Sequence, residues 1–160
     1  SGINHGSNTA INIIYSGTVS AATEGTVLGI PSIAISLATY AECDFGIAAR
    51  FAKKLALEVM QRGLPAGTLL NVNVPALAES EIKGVKITKQ GFSSWADPFD
   101  RRKDPAGREY FWLTGTMDVT DTDPETDQLA IQAGYISVTP VHYQLTDEVQ
   151  RGVMQGWGLR

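Results

Sequence analysis

The sequence predicts an α/β fold: half of a doubly wound sheet, followed by an extended β-hairpin arm and a C-terminal segment. Three observations predict it. The first 75 residues run loop, helix, strand, helix, strand, the order in which a mostly parallel sheet with covering helices is built. The run 32–36 is short and largely apolar, as expected of a buried parallel strand, and the next strand, 69–75, alternates and is closed by Pro75. Past Pro75 the pattern changes to alternating, half-exposed segments around an Asp104-Pro105-Ala106-Gly107 turn, with Pro and Gly where such a turn needs them.

The elements follow in order. Residues 1–8 and 15–18 form two closely spaced Gly-rich turns bearing amides and hydroxyls. Such turns suit the junction of a buried strand with a helix start, which predicts that the chain begins in the middle of a domain. A helix is expected over 18–28, with Ser16 as N-cap and with Gly29 and Pro31 ending it. Its small residues, Ser20, Ala21, Ala22 and Gly25, imply a close neighbour. Asp44 is expected to cap a second helix that runs to about Arg62, where Gly63 stops it. Ile47, Ala48, Phe51, Leu55, Ala56 and Val59 fall on one face of it. The alternating run 85–89 predicts a strand, with its return in 107–114. A loop over 118–127, one or two helical turns over 127–133, a last strand over 135–140 and a short helix capped by Thr146 complete the chain. The expected divisions are 1–75 for the α/β part, 76–133 for the arm and acidic loop, and 134–160 for the final strand and an oligomerisation segment.

Composition excludes several classes. A chain of 160 residues with 43% hydrophobic content suits one globular domain or most of one. The net charge is −4, and the longest basic run, Arg101-Arg102-Lys103, is flanked by Asp100 and Asp104. A nucleic-acid polymer is therefore not an expected partner. The single cysteine, Cys43, fits a reducing, cytoplasmic setting and a structural thiol. No run of 18 apolar residues occurs, so no membrane span is expected.

Candidate functional residues concentrate in the first 18 positions. The amide oxygen of Asn4 or Asn8 is a neutral hard ligand for Mg²⁺ or Mn²⁺, and the amide N–H₂ can instead hold a phosphate oxygen. The plainer alternative is that these residues only shape a turn. Ser16-Gly17-Thr18 opens a helix, where N–H groups, hydroxyls and the positive helix end make an anion site; ordinary capping is the alternative. The Asp118, Asp121, Asp123, Glu125, Asp127 run lacks the Gly and Glu of a calcium loop and reads as solvated. His5 sits within the first turn and could protonate a leaving group, whereas His142 reads as structural or near an interface. No G-x-S-x-G elbow is present. Phe92, Trp95, Phe99, Tyr110, Phe111 and Trp112 crowd the arm, which makes it a self-packed ribbon, a platform for a base or, the favoured reading, a subunit interface.

Taken together, these segments resemble the SurE family of survival-protein nucleotidases. The resemblance is carried by Ser1-Gly2-Ile3-Asn4-His5-Gly6-Ser7-Asn8, Tyr15-Ser16-Gly17-Thr18-Val19 and Gly29-Ile30-Pro31-Ser32-Ile33-Ala34-Ile35-Ser36. It continues through Leu70-Asn71-Val72-Asn73-Val74-Pro75 and Gly134-Tyr135-Ile136-Ser137-Val138-Thr139-Pro140. It implies the C-terminal part of a Rossmann-like doubly wound sheet, and a metal-dependent phosphomonoesterase acting on nucleoside 5′- and 3′-monophosphates. It implies one divalent ion, Mg²⁺ or Mn²⁺, held by two adjacent Asp, a Ser and the Asn that is Asn4 here. It further implies a phosphate site of Asn8, Ser16, Gly17 and Thr18, catalytic roles for Asn4, Ser16 and Thr18, and a homodimer or homotetramer. The chain contains no Asp-Asp pair. The remaining metal ligands are expected upstream of Ser1, and residues 1–160 alone are expected to be inactive. The alternative is a non-catalytic binding module of the same fold. With strands missing from the sheet, Ile33, Ile35, Val72 and the 47–59 helix face are expected to be partly uncovered.

Overall fold

In the central strands, successive side chains point to opposite sides, and the two sides have different chemistry. The computed structural model describes residues 1–96 and 99–159. Strands β1 (Gly2–His5), β2 (Ile33–Ala38) and β3 (Thr68–Pro75) lie parallel, in that order. The chain then makes a 3-10 turn, Glu79–Glu81, before β4 (Val85–Ile87). β5 (Ser94–Ala96), β6 (Phe99–Lys103), β7 (Glu109–Leu113) and β8 (Thr116–Asp118) build the arm. β9 (Ile136–His142) returns antiparallel to β3 and takes β4 as a parallel neighbour, so the main sheet runs β1-β2-β3-β9-β4. This is the predicted α/β class, with a parallel-dominated sheet.

Helix α1 (Gly17–Val27) and the 3-10 turn Ala10–Tyr15 cover one side of the sheet. Ile13, Val19 and Ala22 pack there on Ala34 and Leu69. The close neighbour that its small residues imply includes Ser32, whose hydroxyl lies against Gly25. Helix α2 (Gly46–Arg62) covers the other side, where Ala48 and Val59 meet Ile35, Leu37, Val72, Val74, Ile136 and Val138. Helices α3 (Asp127–Gln132) and α4 (Glu148–Met154) complete the set. Among the described residues, no helix is long and apolar enough to cross a membrane.

Several local expectations are corrected. The first turn is not all loop, because residues 2–5 form the edge strand β1. The run from Val85 does not pair with the arm; it joins β9 in the main sheet, and Thr88 N–H continues the ladder to the Val138 carbonyl. An edge strand with Val85 and Ile87 exposed gives the same alternating pattern as a free hairpin, so periodicity could not separate the two. The arm hairpin is β6–β7, closed at the predicted turn by Gly107 N–H donating to the Asp104 carbonyl at 2.9 Å. Phe45, not Asp44, is the N-cap of α2, although the Asp44 carboxylate still accepts from Gly46 N–H at 2.8 Å. Asp147, not Thr146, caps α4 by accepting from Gln150 N–H. Finally, Ile35 and Val72 are buried, at 5% and 0% exposure, because α2 closes over them. The expectation holds for Ile33, Ile47, Phe51, Leu55 and Ala56, which stay only partly buried.

Candidate active site

The site begins with two glycines that only glycine can serve. Gly2 has φ +105°, and a Cβ there would collide with the Ile35 carbonyl oxygen. β1 can therefore hug β2, which sets Asn4 in register with Ser36. Gly6 has φ +85° and turns the chain, its N–H donating to the Thr39 carbonyl at 2.8 Å. The turn brings Asn8 back over the sheet.

Asn4, Asn8 and Ser36 form a closed polar cluster at the C-terminal ends of the parallel strands, the usual ligand edge of such a sheet. The Ser36 hydroxyl donates to Asn4 Oδ1 at 2.9 Å. Asn8 Nδ2 donates to Ser36 Oγ at 2.7 Å and to Asn4 Oδ1 at 3.2 Å. Asn4 Nδ2 is held by the carbonyls of His5 and Gly6 at 2.9 and 3.0 Å, which fixes its oxygen toward the cluster. The Asn8 peptide is gripped from below: Asn73 Oδ1 accepts its N–H at 2.7 Å, and Asn71 Nδ2 donates to its carbonyl at 2.8 Å. The polar row continues across the sheet, since Asn73 is opposite Ser137 and Asn71 opposite Thr139, and both of those hydroxyls bond Thr88.

Ser16, Gly17 and Thr18 lie at the other end of the Ala10–Tyr15 turn. Ser16 is buried, and its hydroxyl oxygen caps α1 by accepting from Val19 N–H at 3.1 Å. The first-turn N–H groups of Gly17 and Thr18 have no carbonyl within the helix to bond. Gly17 faces open space, and Thr18 is half-buried. The structure thus joins Asn4 and Asn8 directly, and it places the Ser16–Thr18 turn one short helix away, with Ser16 engaged as a cap.

Asp127 fixes that short helix. It is fully buried; its Oδ2 accepts from Ala10 N–H, and its Oδ1 accepts from the N–H groups of Gly91 and Gln128, all at 2.8–3.0 Å. Burial pushes its carboxyl above the ordinary range, and these hydrogen bonds oppose the rise. Asp121 accepts from the Phe92 and Ser93 N–H groups and the Ser93 hydroxyl. Desolvation pushes the Asp121 carboxyl up, but those bonds together outweigh it and leave it below the ordinary range. The acidic run is therefore not simply solvated, because two of its carboxylates staple loops to the core.

Sequence reasoning missed Ser36, Asn71, Asn73, Asp121 and Asp127. A signal existed for the first three: Asn71 and Asn73 are polar residues at two-residue spacing in an otherwise largely apolar strand, and Ser36 is the one polar residue of β2. The carboxylates gave none, since their partners are backbone N–H groups distant in sequence. The histidine rings lie outside the cluster's hydrogen bonds, although the His5 carbonyl accepts from Asn4 Nδ2. The His5 ring packs edge-on against Phe45, with centroids 4.7 Å apart. His142 stacks on Tyr143 and accepts from Gln144 N–H. Cys43 is partly buried against the core.

The divalent ion that the resemblance implies would meet a neutral donor set here. Asn4 Oδ1, Ser36 Oγ and Asn8 are all neutral, and Asn4 Oδ1 already accepts two hydrogen bonds. Among the described residues, no group of three His, Cys, Asp or Glu could hold a metal. A hard dication prefers oxygen ligands that include carboxylates. Residues 1–160 by themselves do not fit such an ion; Asn4 is at most one of its ligands. Beside the Ala10–Tyr15 turn, Ile11, Tyr15, Phe99 and Leu113 line a groove of about 740 Å³ that also reaches Ser94 and Thr114.

Comparison with known proteins agrees with this architecture. Residues 1–97 match the family model "Survival protein SurE". The 5'-nucleotidase SurE of Symbiobacterium thermophilum is 52% identical over 159 residues, covering 99% of this chain and 62% of that protein. The 5'-nucleotidase SurE of Chlorobaculum tepidum is 46% identical over 160 residues, covering 100% of this chain and 61% of that protein. The chain therefore spans about three fifths of the length of the curated relatives it matches. The crystal structure of SurE protein from Aquifex aeolicus superposes with a TM-score of 0.80 at 39% identity, over 97% of this chain and 63% of that one. On the family model, the identities and the shared fold, the chain belongs to the SurE family.

Proposed function

We propose that this chain supplies the phosphate-binding part of a nucleotidase that hydrolyses nucleoside 5′- and 3′-monophosphates. The observation that carries this reading is the pairing of two polar features at one sheet edge. The Asn4–Asn8–Ser36 cluster and the first turn of α1 flank a single short helix, which Asp127 holds in place. The names of the similar proteins, 5'-nucleotidase SurE, support the substrate class. A phosphomonoester would rest against the N–H groups of Gly17 and Thr18 and the Thr18 hydroxyl, where the helix dipole favours the charge that grows in the transition state. The Ser16 cap keeps that turn wound. Asn8 would contribute by exchanging its longer bond, 3.2 Å to Asn4, for one to a phosphate oxygen. The groove beside Tyr15 and Phe99 offers aromatic faces to a planar base.

The divalent ion, Mg²⁺ or Mn²⁺, requires carboxylates from outside residues 1–160. A homodimer or homotetramer is proposed, with the arm as contact, because Phe99, Phe111 and Trp112 are exposed on a two-stranded ribbon. The working compartment is proposed to be the cytoplasm. The neutral donor set gives a second reading, a binding module without catalysis. Manganese-dependent AMP hydrolysis decides between them. The whole natural polypeptide turns over and a chelator abolishes it, whereas residues 1–160 alone show little or none. No turnover by the whole polypeptide favours the module, and robust turnover by residues 1–160 contradicts the split site.

A further inference from the structure

Asn8 is the one residue of the cluster whose backbone is held on both sides by side chains from another strand. Asn73 Oδ1 accepts the Asn8 N–H at 2.7 Å, while Asn73 Nδ2 reaches the Asn8 carbonyl at 3.2 Å. Asn71 Nδ2 donates to the same carbonyl at 2.8 Å. Both strand asparagines are fully buried. Asn71 carries a cost for its part: its Oδ1 is buried with no hydrogen-bond partner among the described residues. Flipping the amide would not help, since it would aim oxygen at the Asn8 carbonyl oxygen. An apolar residue of similar volume would fill the space without leaving an orphan acceptor. Stability alone therefore gives no reason for an amide at position 71, whereas a need to hold the Asn8 peptide does.

We propose that Asn73, assisted by Asn71, is a positioning residue for phosphate binding: the pair locks the Asn8 main chain so that only its side chain exchanges between Asn4 and a phosphate oxygen. The inference rests on Asn8 contacting phosphate, as proposed above. With the peptide fixed at both its N–H and its carbonyl, the Asn8 amide needs only a side-chain rotation to change partner, and little ordering remains to oppose binding. Without the clamp, the 6–9 loop must be ordered by the ligand itself.

The test uses the whole natural polypeptide, with inorganic phosphate as a competitive inhibitor of AMP hydrolysis. Asn73→Leu should weaken phosphate inhibition at least about tenfold, the loss expected when a pre-ordered contact must be ordered on binding. Asn73→Asp should be impaired at about pH 8 and recover as the pH is lowered to about 5. A protonated Asp presents a carbonyl to the Asn8 N–H and an O–H to the Asn8 carbonyl, whereas the ionised form can only accept. Circular dichroism at each pH separates this recovery from refolding. Thr88→Val, which breaks the neighbouring hydroxyl chain without touching Asn8, should lower thermal stability and leave phosphate inhibition unchanged. Asn8→Ala checks the underlying reading, because unchanged phosphate inhibition there means that Asn8 does not contact phosphate. If Asn8→Ala weakens phosphate while Asn73→Leu does not, the clamp is refuted and the contact stands. The clamp is also refuted if Thr88→Val weakens phosphate as much as Asn73→Leu, or if the pH profile of Asn73→Asp parallels the wild type.

Discussion

The two sides of the central sheet are written by the same strands and do different work. On the α2 side, Ile35, Val72, Val74, Ile136 and Val138 interdigitate with Ala48 and Val59. On the other side, Ala34 and Leu69 pack beneath α1, but Ser36, Asn71, Asn73, Ser137 and Thr139 form a buried polar strip. A polar strip at 0–2% exposure is a poor way to gain stability, because each group must be matched to avoid a desolvation penalty. The hydrogen bonds of Ser36, Asn71 and Asn73 lead instead to Asn8 and the ligand edge, whereas Ser137 and Thr139 bond Thr88. The apolar side holds the sheet together, and the polar side holds the site.

Substitutions on each side can break this division. The largest expected effect on stability comes from Val138→Ala, which opens a cavity in the α2 core and should cost about 2 kcal/mol. Denaturant titration reads that loss, and phosphate affinity should stay at the wild-type value. Asp127→Asn should cost somewhat less, about 1–2 kcal/mol, since its new N–H₂ must face a backbone N–H of Ala10 or of Gly91 and Gln128. Here the loss should also reach the site, because Asp127 anchors the turn between Asn8 and Ser16. Ser16→Ala removes a helix cap and should cost about 1 kcal/mol, with a weaker hold on phosphate. Breaking the exposed Arg101–Glu109 pair on the arm should change stability by no more than about 0.5 kcal/mol.

The two stapling carboxylates predict opposite slopes of stability with pH. The Asp127 carboxyl is raised in the folded protein, so its favourable contribution is complete below the unfolded value and is lost as pH rises through the folded one. The Asp121 carboxyl is lowered, so its contribution is present above the unfolded value and is lost as pH falls through the folded one. Urea unfolding of Asp121→Asn across the acid range should therefore show a shallower acid loss than the wild type. An unchanged slope would show that Asp121 is not the staple described.

How much of this could be read from sequence varied with the range of the interaction. Helices α1 and α2, strands β2 and β3 and the Asp104–Gly107 turn were readable because caps, periodicity and turn residues act within a few positions. The place of β4 was not, since choosing the main sheet over the arm depends on Ile136–Val138 more than 40 residues away. Asn4 and Asn8 were singled out by their Gly-rich turns, and the structure joins them through Ser36. Ser36, Asn71 and Asn73 stand out in sequence only as polar positions in apolar strands; their role depends on the register that aligns them across β1, β2 and β3. Asp127 read as part of a charged loop, because its partners at Ala10 and Gly91 are invisible to local patterning.

The most direct test of the division between the two sides is a calorimetric titration of inorganic phosphate into the whole natural polypeptide carrying Val138→Ala or Asn8→Ala. The account predicts that Asn8→Ala weakens phosphate at least about tenfold, about 1.4 kcal/mol, while its melting temperature stays within a few degrees of wild type. It predicts the reverse for Val138→Ala, a lower melting temperature with unchanged affinity. Equal losses of affinity in the two variants, or none in Asn8→Ala, would contradict it.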